Sequence, residues 1–153
     1  MEFCLVETPI GAMRLEADGN GLTAARFVDG KEGPAMPGKD TCLADAAAQL
    51  AEYFAGRRCA FDVPLSPRGT PFQRAVWAEL CRIPWGETRC YQQVAAAVGN
   101  PKATRAVGMA NNRNPLLIFI PCHRVVGKDG ALVGYGAGLE RKRFLLELEG
   151  IRD

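Results

Sequence analysis

The spacing of apolar positions predicts strands in the first part of the chain and helices after it. Apolar runs separated by Pro-Ile-Gly and Asp-Gly-Asn-Gly turns predict three strands, Phe3–Glu7, Met13–Ala17 and Leu22–Val28. Residues 29–40, which are rich in glycine, proline and charge, are expected to form a loop. Apolar residues then recur at helical spacing over 43–54, and Gly56 predicts the end of that helix. Another short strand is expected at Phe61–Leu65.

Helical patterns dominate after residue 66, and the clearest of them begins at Thr70. Thr70 and Gln73 have the spacing of a capping box, with a proline between them at the first helical position. Two short helices are predicted at about 91–98 and 102–111, on either side of a Gly-Asn-Pro turn. Asn100 in that turn is expected to be the N-cap of the second helix. Helices joined this closely are a candidate helix-turn-helix.

These elements predict an α+β protein with two lobes. A small N-terminal lobe, residues 1–66, combines an antiparallel sheet with a helix. A mostly helical C-terminal lobe, residues 67–153, contains the helix-turn-helix at about 91–111 and a last helix over Leu139–Glu149. The first lobe carries 6 basic and 10 acidic residues, and the second carries 13 and 7. A basic second lobe favours a polyanionic partner, with a chance asymmetry as the competing interpretation.

The composition excludes two broad classes of protein. Hydrophobic residues make up 48% of the chain and charged residues 24%, which excludes a wholly disordered chain. No apolar run approaches the roughly 18 residues that a membrane-spanning helix needs. The early acidic residues do not match a signal peptide. We therefore expect a cytoplasmic protein with no membrane partner.

One of the six cysteines has a neighbourhood suited to chemistry. The chain has a single histidine and no Cys-x-x-Cys pair, so we expect no metal site. Cys122 follows a proline and directly precedes His123 and Arg124. A thiol becomes nucleophilic beside a base or a cation, but adjacent side chains meet only if the chain turns here. For orienting the histidine, the last helix offers Glu147 and Glu149. The competing interpretation is a buried cysteine without a chemical role.

A series of motifs follows in order along the second lobe. The most specific is Ile-Pro-Cys-His-Arg-Val-Val at 120–126. The others are Phe72-Gln73, Val76-Trp77, Ile83-Pro84-Trp85-Gly86, Tyr91-Gln92-Gln93, Gly99-Asn100-Pro101, Arg105-Ala106-Val107-Gly108, Asn114-Pro115, Gly134-Tyr135-Gly136 and the closing Leu-Glu-Gly. Together they resemble the O6-alkylguanine-DNA alkyltransferases, also called methylated-DNA–protein-cysteine methyltransferases. The resemblance covers about residues 67–150, and the N-terminal lobe suits the same family.

The resemblance implies a DNA repair protein that acts once. It would transfer an alkyl group irreversibly from O6-alkylguanine in duplex DNA to Cys122, with no metal or organic cofactor. The family's pattern implies that His123 acts as the base through a water and that Glu149 orients it. It further implies that the Tyr91 hydroxyl donates to the leaving guanine and that Asn114 orders the loop beside the cysteine.

The resemblance also implies how DNA is bound. The damaged nucleotide would be flipped out of the stack, and the second helix of the pair would lie in the minor groove. The DNA-binding residues expected on this basis are Arg105, which would fill the gap in the stack, Tyr91, Ala103, Ala106 and Gly108. Separately, the basic second lobe is expected to contact phosphates, with Arg113 and Lys128 as the candidates. The expected substrate pocket consists of Tyr135, Gly136, Val125 and Arg124. Ala106 and Val107 are expected to pack inward as well. The expected partner is double-stranded DNA containing O6-alkylguanine, bound in the minor groove by a monomer.

Three other classes of protein are the alternatives. Alkyltransferase-like proteins bind the same lesion without transfer because another residue replaces the cysteine, and Cys122 argues against that interpretation. A simple helix-turn-helix regulator leaves the Cys-His-Arg unit unexplained. A thiol hydrolase needs an oxyanion hole, which no motif marks.

Overall fold

The computed structural model describes residues 2–29 and 41–151. The predicted loop at 29–40 therefore lies outside the described residues from position 30 onward. The chain divides into two compact units. The first consists of Met1–Arg68 with Pro115–Leu117, and the second of Gly69–Asn114 with Ile118–Asp153. Among the described helices, none has both the length and the apolar character required to cross a membrane.

The first unit contains the predicted antiparallel sheet and helix. The strands lie in the order of the chain: β1 (Glu2–Thr8), β2 (Gly11–Ala17) and β3 (Leu22–Val28). Alternate residues of β2, Met13, Leu15 and Ala17, are buried, as expected for a sheet with one face on the core. Helix α1 (Thr41–Phe54) packs on β1 and β2, and Gly56 ends its last turn with a φ of +76°.

The predicted strand at Phe61–Leu65 is wrong. Only a single bridge forms within this segment, between Leu22 and Leu65. The Leu22 N–H donates to the Pro64 carbonyl at 2.9 Å, and the Ser66 N–H donates to the Leu22 carbonyl at 2.7 Å. Pro64 has no N–H with which to extend the ladder, so the pairing stops there.

The second unit is mostly helical, as predicted. Its main elements are α2 (Pro71–Leu80), α3 (Tyr91–Ala97), α4 (Thr104–Asn112), the 3-10 turn Cys122–Arg124 and α5 (Leu139–Leu148). The predicted capping box of α2 is confirmed. The Gln73 N–H donates to Thr70 Oγ1 at 3.1 Å, and the Thr70 N–H donates to Gln73 Oε1 at 2.9 Å. The Trp77 indole N–H of α2 donates to the Ala110 carbonyl of α4 at 2.8 Å, which ties these two helices together.

The helix pair α3–α4 forms as predicted, but the start of the second helix differs. Helix α4 begins at Thr104 with Ala103 as its N-cap, so the assignment of Asn100 as N-cap is wrong. The Ala103 N–H donates to the Asn100 carbonyl at 2.9 Å, which closes a separate turn before the helix begins. Asn100 thus starts the connecting turn rather than the helix.

Two very short strands were not predicted. Strands β4 (Arg89–Cys90) and β5 (Val125–Val126) pair in parallel and place the residues after the Cys-His-Arg turn beside the start of α3. The apolar segment that precedes this turn includes Ile118, which is buried at a φ of +75°. A β-branched residue in this conformation is strained, so packing must hold the segment in place.

Candidate active site

The active-site turn provides the change of direction that a contact between neighbouring side chains requires. Cys122, His123 and Arg124 form a 3-10 turn, and all three are buried. The Cys122 N–H donates to the Ile120 carbonyl at 2.7 Å, and the Arg124 N–H donates to the Pro121 carbonyl at 3.0 Å. The turn therefore fixes the cysteine and the histidine in one rigid element.

The partner of His123 is Glu149, not the exposed Glu147. His123 Nε2 lies 2.7 Å from Glu149 Oε2, and both side chains are fully buried. Because a carboxylate only accepts, Nε2 carries the proton and Nδ1 presents its lone pair. The Nδ1 atom has no hydrogen-bond partner among the described residues. Burial lowers the pKa of His123, while Glu149 raises it by a smaller amount, so the ring is neutral and able to accept a proton.

The same carboxylate also binds Arg124. Arg124 donates from Nε to Glu149 Oε1 at 2.7 Å and from a terminal nitrogen to Oε2 at 3.0 Å. A second terminal nitrogen donates to the Ile83 carbonyl at 2.6 Å. The guanidinium was expected in the substrate pocket, but all three of its nitrogens donate to buried groups, namely Glu149 and the Ile83 carbonyl. Arg124 is therefore the counter-ion of Glu149, the carboxylate that also contacts His123.

The Cys122 thiol is protonated at rest. Burial raises its pKa to about 11, opposed by a hydrogen bond with Asn114 and by the charge of Lys142. The Asn114 side-chain amide also donates to the Ile120 carbonyl at 2.8 Å. Asn114 therefore contacts both the cysteine and the segment before it. A buried thiol of this kind reacts only when a base removes its proton.

Two tyrosines lie near the cysteine. Burial raises the pKa of Tyr91, and so does the negative charge that Cys122 would carry as a thiolate. The same two causes raise the pKa of Tyr135. The buried Tyr135 hydroxyl has no hydrogen-bond partner among the residues that the structure describes. Gly136, next in the predicted pocket, is exposed, and a Cβ there would lie 3.5 Å from the Asn112 carbonyl oxygen.

The site contains one charged residue that was not predicted. Lys142 of α5 is fully buried and donates to three backbone carbonyls, including that of the predicted pocket residue Val125. Lys142 shares a helical row with Leu145, Leu146 and Glu149, all of them buried. The sequence shows this helical spacing, but a lysine in an apolar row of a helix normally lies at the solvent-exposed edge of that row.

Helix α4 exposes the residue expected to enter DNA. Arg105 is exposed on its first turn, and Ala106 is exposed beside it, so the expectation that Ala106 packs inward is wrong. Val107 is buried as expected, because it lies on the opposite side of the helix. The remaining residues expected at DNA are exposed or half-buried: Tyr91, Ala103, Gly108, Arg113 and Lys128. A Cβ on Gly108 would lie 3.9 Å from the Tyr91 ring, which places Tyr91 beside this helix.

Within residues 2–29 and 41–151, no group of three or more histidine, cysteine, aspartate or glutamate side chains is arranged to hold a metal ion. The six cysteines are all free thiols.

A buried cysteine followed by a buried His-Glu pair, in the same unit as a closely joined helix pair, fits a class of cysteine-nucleophile proteins with a DNA-binding unit. Comparison with known proteins agrees with this. Residues 2–67 match the family model of the 6-O-methylguanine DNA methyltransferase ribonuclease-like domain. Residues 71–151 match the model of the DNA binding domain of the same methyltransferase. The chain belongs to the 6-O-methylguanine DNA methyltransferase family.

Individual relatives match over nearly the whole chain. A methylated-DNA–protein-cysteine methyltransferase of Methanosarcina acetivorans is 49% identical, with 98% of this chain and 99% of the relative covered. A constitutive methylated-DNA–protein-cysteine methyltransferase of Bacillus subtilis is 50% identical, with 97% and 95% covered. The crystal structure of the Mycobacterium tuberculosis methyltransferase OGT in complex with DNA has a TM-score of 0.88 at 45% identity, with 97% and 92% covered. DNA is thus a partner of this class of protein, and the relatives favour a methyltransferase over a lesion binder without activity.

Proposed function

We propose that the protein repairs O6-alkylguanine in duplex DNA by transferring the alkyl group to Cys122. The observation that carries this proposal is the 2.7 Å contact of His123 Nε2 with Glu149, in the turn that also contains Cys122. The contact leaves Nδ1 as the basic atom of a neutral, buried histidine that directly follows the buried Cys122 in the chain. Curated relatives named methylated-DNA–protein-cysteine methyltransferase, 46–50% identical, support the same reaction.

The transfer is a displacement at the alkyl carbon. His123 accepts the thiol proton through a water, and the Cys122 sulfur attacks the carbon as the carbon–O6 bond breaks. The electron pair of that bond passes to the purine, which gains a proton or hydrogen bond from the Tyr91 hydroxyl. Tyrosine is protonated at neutral pH at its ordinary pKa, and burial raises the pKa of Tyr91 further, so this hydroxyl is a donor. Proton donation by Tyr91 leaves a phenolate there and an imidazolium at His123. Exchange with solvent then returns the histidine's proton to Tyr91, so in net the thiol proton ends on guanine and Cys122 becomes a thioether.

Glu149 orients the histidine, and Arg124 in turn binds Glu149. The Glu149 carboxylate holds the tautomer that presents Nδ1, and Arg124 holds that carboxylate in place through two hydrogen bonds. Because a thioether carries no hydrolysable group, the protein is consumed by one reaction.

DNA binding is assigned to α4 and the basic second lobe. Arg105 would enter the stack when the damaged nucleotide is flipped out, at a cost of a few kcal/mol for unstacking. The small residues Ala103, Ala106 and Gly108 allow a close approach to the minor groove, whose readout is degenerate. Binding should therefore depend little on sequence and strongly on salt, with Arg113 and Lys128 at phosphates. We propose that a monomer carries out the whole reaction.

The stoichiometry of repair tests this proposal. Duplex DNA containing O6-methylguanine is supplied in excess over the protein, and restored guanine is counted over time. We expect a plateau at one guanine per protein molecule. Repair that continues beyond one equivalent would contradict the thioether product. Lesion binding without any restored guanine would instead favour a lesion sensor.

A further inference from the structure

The ammonium group of Lys142 is enclosed by backbone carbonyls. Its Nζ lies 2.5 Å from the Val125 oxygen, 2.6 Å from the Val133 oxygen and 3.1 Å from the Gly134 oxygen. Each of the three N–H groups of an ammonium therefore has an acceptor. Val125 directly follows the active-site turn, whereas Val133 and Gly134 precede the pocket residue Tyr135. One buried side chain thus links helix α5 to both sides of the site.

The Val133 carbonyl also accepts a hydrogen bond from Tyr91. The Tyr91 hydroxyl lies 3.3 Å from this oxygen, against 2.6 Å for the lysine. The next residue, Gly134, has a φ of +62°, and a Cβ there would lie 2.9 Å from the Tyr91 hydroxyl oxygen. The Tyr91 hydroxyl therefore lies against the Val133–Gly134 peptide. Its hydrogen bond to the Val133 carbonyl is long, whereas the bond from Lys142 to the same carbonyl is shorter and charge-assisted.

We propose that Lys142 is a positioning residue for Tyr91: it holds the Val133–Gly134 peptide in place and keeps the Val133 carbonyl bonded when the Tyr91 hydroxyl turns to the substrate. The proposal rests on the proposed function, in which Tyr91 donates to the departing guanine. Movement of the Tyr91 hydroxyl would cost free energy if it left the Val133 carbonyl without a hydrogen-bond partner. Lys142 removes this penalty because its bond to the carbonyl persists, and the hydroxyl can leave its resting acceptor.

The charge of Lys142 is compatible with this role. Burial lowers its pKa to about 8, so the amine is mostly protonated at neutral pH. The negative charge on Cys122 during reaction raises that pKa, and the lysine in turn lowers the pKa of the thiol. The ammonium is thus stabilised at the stage when Tyr91 has to move.

The experiment compares Lys142→Met with Arg143→Met, which removes one exposed positive charge from the next position of the same helix. The affinity for a duplex containing O6-methylguanine and the single-turnover transfer rate at saturating DNA are measured separately. We expect Lys142→Met to lower the saturating rate by about tenfold and to change the Kd by less than about twofold. Arg143→Met should leave the saturating transfer rate unchanged. A Lys142→Met protein that transfers at the normal rate would overturn the proposal.

A double-mutant cycle with Tyr91→Phe separates positioning from general support of the fold. If Lys142 acts through the Tyr91 hydroxyl, Lys142→Met should lower the rate of the Tyr91→Phe protein by no more than about twofold. If the rate losses of the two single variants multiply in the double variant, the two residues act independently, and the proposal would be overturned. A normal rate for Tyr91→Phe alone would remove the role of Tyr91 as well. Methylation of Cys122 would still occur in that case, so this failure is distinct from failure of the proposed transfer.

Gly134→Ala perturbs the contact between the Val133–Gly134 peptide and Tyr91 while Lys142 is retained. This variant replaces Lys142→Met if the latter does not fold. The added Cβ would press on the Tyr91 hydroxyl at 2.9 Å, so the transfer rate should fall. Tyr91→Phe removes the hydroxyl and with it the contact, so Gly134→Ala should cost less rate in that background. The same fold-loss of rate with and without the Tyr91 hydroxyl would overturn the proposal.

Discussion

The Glu149 carboxylate takes part in three hydrogen bonds at the site, and Glu149→Gln perturbs all of them. The carboxylate faces His123 and accepts two hydrogen bonds from Arg124. Glutamine keeps the shape of the side chain but removes the charge. It leaves the Arg124 guanidinium buried without a counter-ion, and its amide cannot satisfy the histidine and the arginine together.

The expected loss of stability follows from this burial. Removing one partner of a buried ion pair costs about 3–5 kcal/mol, because the other charge remains desolvated. For a chain of this length, each kcal/mol corresponds to about 2–4 °C in Tm, so Tm should fall by about 6–20 °C. The transfer rate should also fall, by about 10²–10⁴-fold, because the histidine is no longer held in the tautomer that presents Nδ1.

Thermal unfolding and single-turnover transfer measure these two losses. Glu147→Gln is the matched control, since Glu147 is exposed on the same helix and should change neither quantity. Combining Glu149→Gln with Arg124→Met removes both charges and should recover part of the lost stability without restoring the rate. A Glu149→Gln protein as stable as Glu147→Gln would refute the reasoning. So would losses of stability that simply add in the double variant.

Three further predictions concern DNA entry, helix capping and pH. Arg105→Ala should slow repair in duplex DNA far more than reaction with the free alkylated base, because only duplex repair needs the stack to be filled. Thr70→Ala should lower the free energy of unfolding by about 1 kcal/mol and leave transfer unchanged, because it removes only the cap of α2. The lowered pKa of His123 means that the unfolded chain binds a proton which the fold excludes, so stability should decrease as the pH falls through about 6.5. His123→Gln should abolish that dependence, as followed by urea unfolding at each pH.

For each of these three predictions, one result would contradict it. Equal losses on duplex and free base would argue against the entry of Arg105 into the stack. A change in transfer rate with Thr70→Ala would mean that the capping box reaches the active site. Stability that increases on acidification below about pH 6.5 would contradict a neutral buried histidine.

The sequence pattern predicts the elements that have a long repeat. The strands of the first sheet and helices α1, α2 and α5 each present several apolar residues at one spacing, and their positions are close to the prediction. The two-residue strands β4 and β5 are missed because two residues carry no periodicity. The strand at Phe61–Leu65 is wrong because Pro64 interrupts the ladder, and α4 starts late because a separate turn closes at Ala103.

The site is predictable where its residues are adjacent in sequence. Cys122 and His123 stand out from their immediate neighbours, but the choice between Glu147 and Glu149 depends on which face of α5 points inward. The inward position of Lys142 was not predicted. Its acceptors are backbone carbonyls, two of them in a glycine-rich loop, whose positions leave no trace in the side-chain pattern.

The central claim is that the alkyl group is transferred to Cys122 and remains there. The most direct test is the mass of the intact protein after incubation with a duplex that carries one O6-methylguanine, followed by a peptide map, with Cys122→Ser as the control. We predict a single added methyl group on the peptide that contains Cys122 and no addition to Cys122→Ser. An unchanged mass despite normal lesion binding, or a methyl group on another residue, would contradict the account.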